Sequence, residues 1–151
     1  MRSGIAVCCS LLVLLSQPVG AQATGARAFA IEAAGATAGS LLGFGVVYLA
    51  RDSCSVEDLG CTIRKAGLGI GLSTVGAAAG GYLAGRAGGT NPSGWGSALG
   101  AVAGAAAGVG AWHLFTEELD VANSPAAAIA VYAVTQGLLT AAVSRLASRS
   151  R

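Results

Sequence analysis

The chain has 151 residues, of which 54% are hydrophobic, 11% charged and 5% aromatic, with a formal net charge of +2. Soluble domains carry about 25% charged residues, so this composition argues against a water-soluble domain and favours lipid as the solvent. The 9 basic residues are scattered over the whole length. A nucleic-acid partner is not indicated, because a phosphate-binding face needs clustered Lys and Arg.

The N-terminal segment has the pattern of a cleavable secretory signal peptide, predicted over residues 1–23. Arg2 precedes an apolar run at 5–15, and Ala21 and Ala23 form the small-residue end. The run is shorter than the roughly 20 residues that a membrane-spanning helix needs, which weighs against an uncleaved anchor. Residues 24–151 would then form one membrane domain.

Four apolar segments in this domain have membrane-spanning length. At about 1.5 Å per residue, each can cross a hydrocarbon core of about 30 Å. Asn91 and Ser124 each precede a proline, a pattern of an N-cap followed by proline at the first helical position. The predicted fold is an all-α bundle of four antiparallel transmembrane helices, at 28–50, 63–86, 92–115 and 125–146. A β-barrel is the alternative, but alternating hydrophobicity and a C-terminal aromatic residue are missing.

Glycines at four-residue spacing predict glycine-zipper packing of these helices. Every fourth residue from Gly96 to Gly108 is glycine, and nothing between them is larger than Leu99. On a helix these positions form one stripe, against which a second backbone can lie closely. The predicted packing positions are Gly35, Gly39, Gly43, Gly67, Gly71, Gly76, Gly80, Gly85, Gly96, Gly100, Gly104 and Gly108.

The distribution of glycine also predicts which helices pack tightly. The second span carries glycines on more than one side and is expected at the centre of the bundle. The fourth span has a single glycine, Gly137, among larger residues such as Ile129 and Tyr132. It is therefore expected to pack less tightly than the others.

Glu32 is an acid inside a predicted span, where a carboxylate is costly unless it is paired or reaches the headgroups. Antiparallel spans bring Arg86 and Arg145 to the same membrane end, so either is a predicted partner for Glu32. At the opposite end, the acids after the third span are expected near Arg64 or Lys65.

The polar break at 51–65 contains Cys54 and Cys61, the cysteines that remain after signal cleavage. Two cysteines in one short segment of an exported chain favour a disulfide. Gly60 is expected to reverse the chain so that the two sulfurs meet. A metal or redox pair is the alternative, but the Cys-x6-Cys spacing differs from the Cys-x2-Cys of zinc ribbons and thioredoxin-like sites.

Residues that could carry chemistry are few. His113 and Glu117 stand four apart, a spacing that can offer two metal ligands, but metal sites normally need three or four. The run from Gly67 to Gly71 lacks the third glycine of a dinucleotide-binding loop, where Leu72 stands. We therefore expect no catalytic residue, metal ion or cofactor, and no small-molecule substrate is identified.

The glycine repeats resemble those of exported bacterial glycine-zipper membrane proteins. The resemblance rests on Gly35, Gly39 and Gly43 and on the repeat from Gly96 to Gly108. It implies a structural or oligomer-forming component of the cell envelope, whose partners are the lipid bilayer and another copy or another membrane protein. The chain differs from the common versions by having four spans instead of two, and from some by lacking a lipid-bearing cysteine.

A small channel or transporter is the alternative function. Its polar path would use Glu32, Thr37, Ser73, Thr74 and Thr135. These groups are few, and they form no continuous row that the sequence alone can establish.

The rules that set orientation disagree for this chain. A cleaved signal peptide leaves the mature N-terminus outside and puts the cysteine segment in the cytoplasm. The positive-inside rule and the predicted disulfide both prefer the reverse. One resolution is that the Gly/Ala helices pass through the inner membrane and insert elsewhere, for example into an outer membrane. The sequence therefore does not decide between the inner and the outer membrane.

Overall fold

The computed structural model describes residues 25–49, 59–118 and 125–150. It contains four helices, α1 (Gly25–Leu49), α2 (Leu59–Ala87), α3 (Gly94–Glu118) and α4 (Pro125–Arg149). The prediction of an all-helical chain is confirmed for these ranges. All four helices are long and apolar enough to cross a membrane, as predicted. The proposed signal peptide lies outside the described residues.

Helix α2 begins earlier than predicted. Gly60, Cys61, Arg64 and Lys65 all belong to it, so the expectation that Gly60 reverses the chain is wrong. The first four N–H groups of a helix have no partner within it, and a glycine in the first turn therefore costs less than one in the helix interior. Cys54 lies outside the described residues, and its pairing with Cys61 stays a prediction.

Helix α3 begins at Gly94, and its N-cap is Ser93 instead of the predicted Asn91. The Gly96 backbone N–H donates to Ser93 Oγ at 3.1 Å, and the Ser97 N–H donates to the Ser93 carbonyl at 2.8 Å. A side-chain oxygen that accepts from the third helical N–H is the geometry that stabilises a helix start. Asn91 is exposed. Helix α4 does begin at a proline, Pro125.

The end of α2 is fixed by a Schellman turn. Gly89 has a φ of 72°, a left-handed conformation that glycine adopts at no steric cost. The Thr90 N–H donates to the Gly85 carbonyl at 2.9 Å, and the Gly89 N–H donates to the Arg86 carbonyl at 3.2 Å. These are the two hydrogen bonds of the motif. The turn brings Thr90 back over the last turn of α2.

The bundle consists of two closely packed pairs, α1 with α2 and α3 with α4. Contact between α1 and α4 joins the pairs, whereas α2 makes less contact with α3 and α4. The expectation that α2 occupies the centre is therefore wrong. Two of its glycines, Gly67 and Gly71, lie on a face that packs against none of the described residues.

The interior of the bundle is filled by small side chains and polar side chains, whereas its surface is apolar. Alanines such as Ala36, Ala77 and Ala101 form the hydrophobic core. Each of the largest fully buried side chains carries a hydroxyl, amide or carboxyl group: Tyr132, Gln136, Glu32, Thr140, Ser40, Ser73, Ser97 and Ser144. Large apolar side chains such as Leu42 and Leu49 are exposed by 72% and 79%. Burial of large apolar side chains stabilises proteins in water, so this distribution is the one expected in lipid.

Candidate functional site

A row of polar side chains runs along the buried face of α4. Tyr132, Gln136, Thr140 and Ser144 follow one another at four-residue spacing, and each is at most 1% exposed. Residues four apart lie on one face of a helix. We call these four residues the polar row.

The glycine repeat of α3 lies against the polar row. A Cβ atom added at Gly100 would lie 2.8 Å from the Cα of Thr140, and one added at Gly104 would lie 2.8 Å from the Cα of Gln136. Gly96 meets Ser144 in the same way at 2.9 Å. Side-chain carbon atoms essentially never approach other heavy atoms so closely, so these positions have no room for a side chain.

This contact overturns the expectation that α4 packs loosely. The sequence argument considered only the glycines of α4, but close approach needs a small residue on one of the two helices. At this interface α3 supplies the glycines. On its other side, Gly137 of α4 lies against Thr37 and the Ala33 carbonyl of α1.

Gln136 connects α4 to all three other helices. Its Oε1 accepts a hydrogen bond from Ser40 Oγ of α1 at 2.6 Å. Its Nε2 donates to the Ala101 carbonyl of α3 at 3.1 Å and to Thr74 Oγ1 of α2 at 3.3 Å. A buried amide must have its hydrogen bonds satisfied, and these partners are found only when all four helices are in register.

Tyr132 extends the polar row by one step. Its Oη lies 3.3 Å from Ser73 Oγ of α2. Because Ser73 Oγ also donates to the Ile70 carbonyl at 2.9 Å, the tyrosine hydroxyl can donate to Ser73. The tyrosine ring packs edge-to-face on Phe44, with ring centroids 5.1 Å apart. One side chain therefore joins α4 to both α1 and α2.

The row continues toward the other end of the bundle through Thr140 and Ser144. Thr140 Oγ1 donates to the Gln136 carbonyl at 2.7 Å, and Ser97 Oγ of α3 donates to Ser144 Oγ at 3.2 Å. The first of these bonds lies within α4, and the second joins α3 to α4. They consume the polar groups that a path for a solute would have to expose.

Glu32 lies at the end of the bundle nearest Ser144, and its partner is Arg145. Arg145 Nη2 lies 3.0 Å from Glu32 Oε1, with the glutamate 1% exposed and the arginine side chain 25% exposed. Thr90 Oγ1 lies 2.9 Å from the same carboxylate oxygen. Arg86, the other predicted partner, is exposed. Thr90 reaches the buried carboxylate because the Schellman turn brings it back over the end of α2.

The ion pair does not satisfy all of its polar atoms. Within the described part of the chain, Glu32 Oε2 and Arg145 Nε are buried without a hydrogen-bond partner. The contact from Arg145 Nη2 meets the distance of an ion pair but not the angles of a hydrogen bond. Gly85 is part of this environment, because a Cβ there would lie 2.9 Å from Glu32 Cγ.

The glycine repeat of α1 packs against α2. An added Cβ at Gly39 would collide with the Gly76 carbonyl, and one at Gly35 would lie 2.5 Å from the Gly80 carbonyl oxygen. Gly43 meets the backbone at Leu72. These contacts pair increasing positions of α1 with decreasing positions of α2.

Gly67 and Gly71 behave differently from the other predicted packing glycines. A Cβ added at either would meet nothing within 4 Å among the described residues, and both positions are exposed. These two glycines make no close helix contact within the described bundle.

The residues proposed for a polar path do not form one continuous group. Ser73 and Thr74 belong to the hydrogen-bonded interior, and Thr37 lies against Gly137. Thr135 is only half-buried, and its neighbour Gln136 holds the central position instead. Sequence reasoning missed the polar row, although its four-residue spacing on one helix was visible.

The remaining candidates lie near the opposite end. His113 is exposed on α3, and the side chains of Glu117 and Glu118 lie outside the described residues. Their predicted proximity to Arg64 and Lys65 therefore stays a prediction. Within residues 25–49, 59–118 and 125–150, the structure contains no group of three His, Cys, Asp or Glu side chains that could hold a metal ion.

Comparison with known protein families, curated proteins and solved structures finds no match to the chain.

Proposed function

We propose that this chain is a structural integral membrane protein, an antiparallel four-helix bundle held together by two glycine zippers and a buried polar row. The main support for this proposal is the inverted distribution of side chains, with hydroxyl and amide groups inside the bundle and large apolar groups on its surface. Lipid chains would solvate the apolar surface. Inside the bundle, close packing and hydrogen bonds would hold the helices together in place of the hydrophobic core that a soluble bundle needs.

Close packing supports a structural role over transport. At Gly100 and Gly104, α3 lies so near the backbone of α4 that a single added carbon would collide with it. Gln136 and Ser144 of the row are hydrogen-bonded to neighbouring helices, and Thr140 is hydrogen-bonded within α4. The proposed role is therefore to form a compact membrane element, with export by the N-terminal segment and location in a bacterial cell envelope as part of the proposal. Association with another copy or another membrane protein is the further expectation from the resemblance.

Substitution of the zipper glycines tests the packing. We expect Gly100→Ile/Gly104→Ile to lower the melting temperature of the purified protein in detergent sharply, since overpacking costs about 1–3 kcal/mol at each site. The matched control is Gly67→Ile/Gly71→Ile, which has the same spacing on an exposed face and should not lower the melting temperature, because isoleucine has a higher helix propensity than glycine. Equal melting of the first variant and the unsubstituted protein would refute the proposed packing.

A liposome flux assay tests the structural role against the channel alternative. The buried carboxylate of Glu32 at one end of the polar row is the observation that favours a channel. We expect vesicles containing the purified protein to retain their ions as well as empty vesicles do. An ion leak that disappears with Glu32→Gln would instead establish transport.

A further inference from the structure

The ends of the bundle differ in charge. Arg86 closes α2, Arg149 closes α4 and Arg27 stands in the first turn of α1. The close contact between α3 and α4 pairs Gly96 with Ser144, which places the start of α3 at the same level. We call this the arginine end.

The acid at the arginine end is withdrawn from the surface. Among the described residues, Glu32 is the acid near these arginines, and it is 1% exposed and paired with Arg145. The other six acids of the chain stand in or beside the connections after α1 and α3, at Asp52, Glu57, Asp58, Glu117, Glu118 and Asp120. Arg86 and Arg149 are both exposed. Within the described residues, the arginine end thus presents positive charge without an exposed acidic side chain beside it.

A tryptophan marks this end as the level of the lipid headgroups. Trp95, in the first turn of α3, is 71% exposed, although it is one of the largest side chains in the protein. Tryptophan is enriched where a membrane helix crosses from hydrocarbon to headgroup, because its ring is apolar and its N–H is polar. Since Trp95 adjoins Gly96, which packs on Ser144, Arg145 and Arg149 stand at or beyond headgroup level.

We propose that the arginine end binds the phosphate groups of anionic phospholipids. Guanidinium groups form charge-assisted, bidentate hydrogen bonds with phosphate oxygens. Basic side chains at a membrane surface attract anionic lipid more than zwitterionic lipid, and the attraction weakens as salt screens it. This inference rests on the proposed membrane role and adds a lipid class to it.

The experiment measures lipid binding by the purified full-length protein in a zwitterionic detergent. Phosphatidylglycerol and phosphatidylcholine are added separately, and bound lipid is counted by native mass spectrometry while the melting temperature is followed. We expect selective retention of phosphatidylglycerol and a rise in melting temperature that phosphatidylcholine does not produce. Inorganic phosphate at the same concentration should not reproduce the rise; if it did, a free anion would be the ligand and the lipid proposal would be wrong.

Two double variants locate the binding surface. Arg86→Gln/Arg149→Gln removes exposed charges that lie outside the Glu32 pair, and it should weaken phosphatidylglycerol binding by roughly 30-fold. Arg64→Gln/Lys65→Gln removes the same charge at the opposite end and should leave binding unchanged. Unchanged binding in the first variant, or an equal loss in the second, would overturn the proposal.

The result can be separated from the test of the proposed function. Release of the protein from membranes by alkaline carbonate would contradict the membrane role itself. Retention in membranes with equal affinity for the two lipids would contradict the lipid proposal alone. Melting of each variant without added lipid shows whether it is folded.

Discussion

Ser40 Oγ donates a hydrogen bond to Gln136 Oε1 at 2.6 Å, and this bond joins α1 to α4. The two residues are separated by 96 positions in the chain, and both are fully buried. Close contact between α1 and α4 joins the two glycine-packed pairs, and this bond lies within it. The register of the whole bundle therefore depends on where this amide finds its partners.

Replacement of Gln136 by leucine should destabilise the bundle. The change keeps the approximate volume but removes the bonds to Ser40, Thr74 and Ala101, and it leaves the buried Ser40 hydroxyl without that partner. Interhelical hydrogen bonds in membranes contribute about 0.6–2 kcal/mol each, so we expect a loss of about 2 kcal/mol in the free energy of unfolding. Denaturation in detergent measures it, with Thr135→Val at the neighbouring half-buried position as the control. Equal stability of Gln136→Leu and the control would contradict the central role of the amide.

The pair of Glu32 and Arg145 can be tested by a double-mutant cycle. Removing one partner of a buried ion pair leaves an uncompensated charge and costs about 3–5 kcal/mol. Because Arg145 is 25% exposed, we expect about 2 kcal/mol for Glu32→Gln or Arg145→Gln. The double variant should recover part of this loss, and Arg86→Gln should cost nothing. Strictly additive losses would show that the two side chains do not interact.

Alanine should have opposite effects at two predicted zipper glycines. At Gly39 the new methyl group collides with the Gly76 carbonyl of α2, and the melting temperature should fall because backbone cannot move aside as a side chain can. At Gly67 the methyl group meets nothing within 4 Å among the described residues. There the higher helix propensity of alanine should stabilise by about 0.5–1 kcal/mol. Changes of the same sign at both positions would contradict the assigned packing face.

Ser93→Ala should weaken the start of α3, because Ser93 Oγ accepts from the Gly96 N–H. Loss of such a cap costs about 1 kcal/mol. Asn91→Ala removes the cap that the sequence favoured and should leave stability unchanged. Thermal unfolding of the two variants side by side decides between the positions, since a larger effect at Asn91 would assign the cap there.

The helices could be predicted because length and hydropathy are local properties of each segment. The glycine stripes were equally visible, since four-residue spacing is written in the sequence. The partner of each glycine was not, because it depends on which helix lies opposite. In α2 the spacing alone does not say whether the face of Gly67 and Gly71 or the face of Gly76 and Gly80 meets a neighbour. The cap of α3 was misassigned because Asn91, Pro92 and Ser93 all favour a helix start.

The polar row was missed for a related physical reason. A glutamine or threonine in an apolar segment has no preferred face until a neighbouring helix offers it hydrogen bonds. Thr135 and Gln136 are adjacent, and nothing local ranks one above the other. Only the combined positions of Ser40, Thr74 and Ala101 select Gln136 for the interior.

The short connection at 88–93 has a consequence for how the chain reaches its membrane. The helices on either side, α2 and α3, have the lowest mean hydropathy of the four candidate spans, so each partitions weakly from a translocation channel when alone. The connection between α2 and α3 is too short for one helix to remain in water while the other inserts into the membrane. We therefore expect biogenesis to deliver them jointly as a helical hairpin, and a long hydrophilic insertion after Gly89 to impair integration before it impairs the finished bundle.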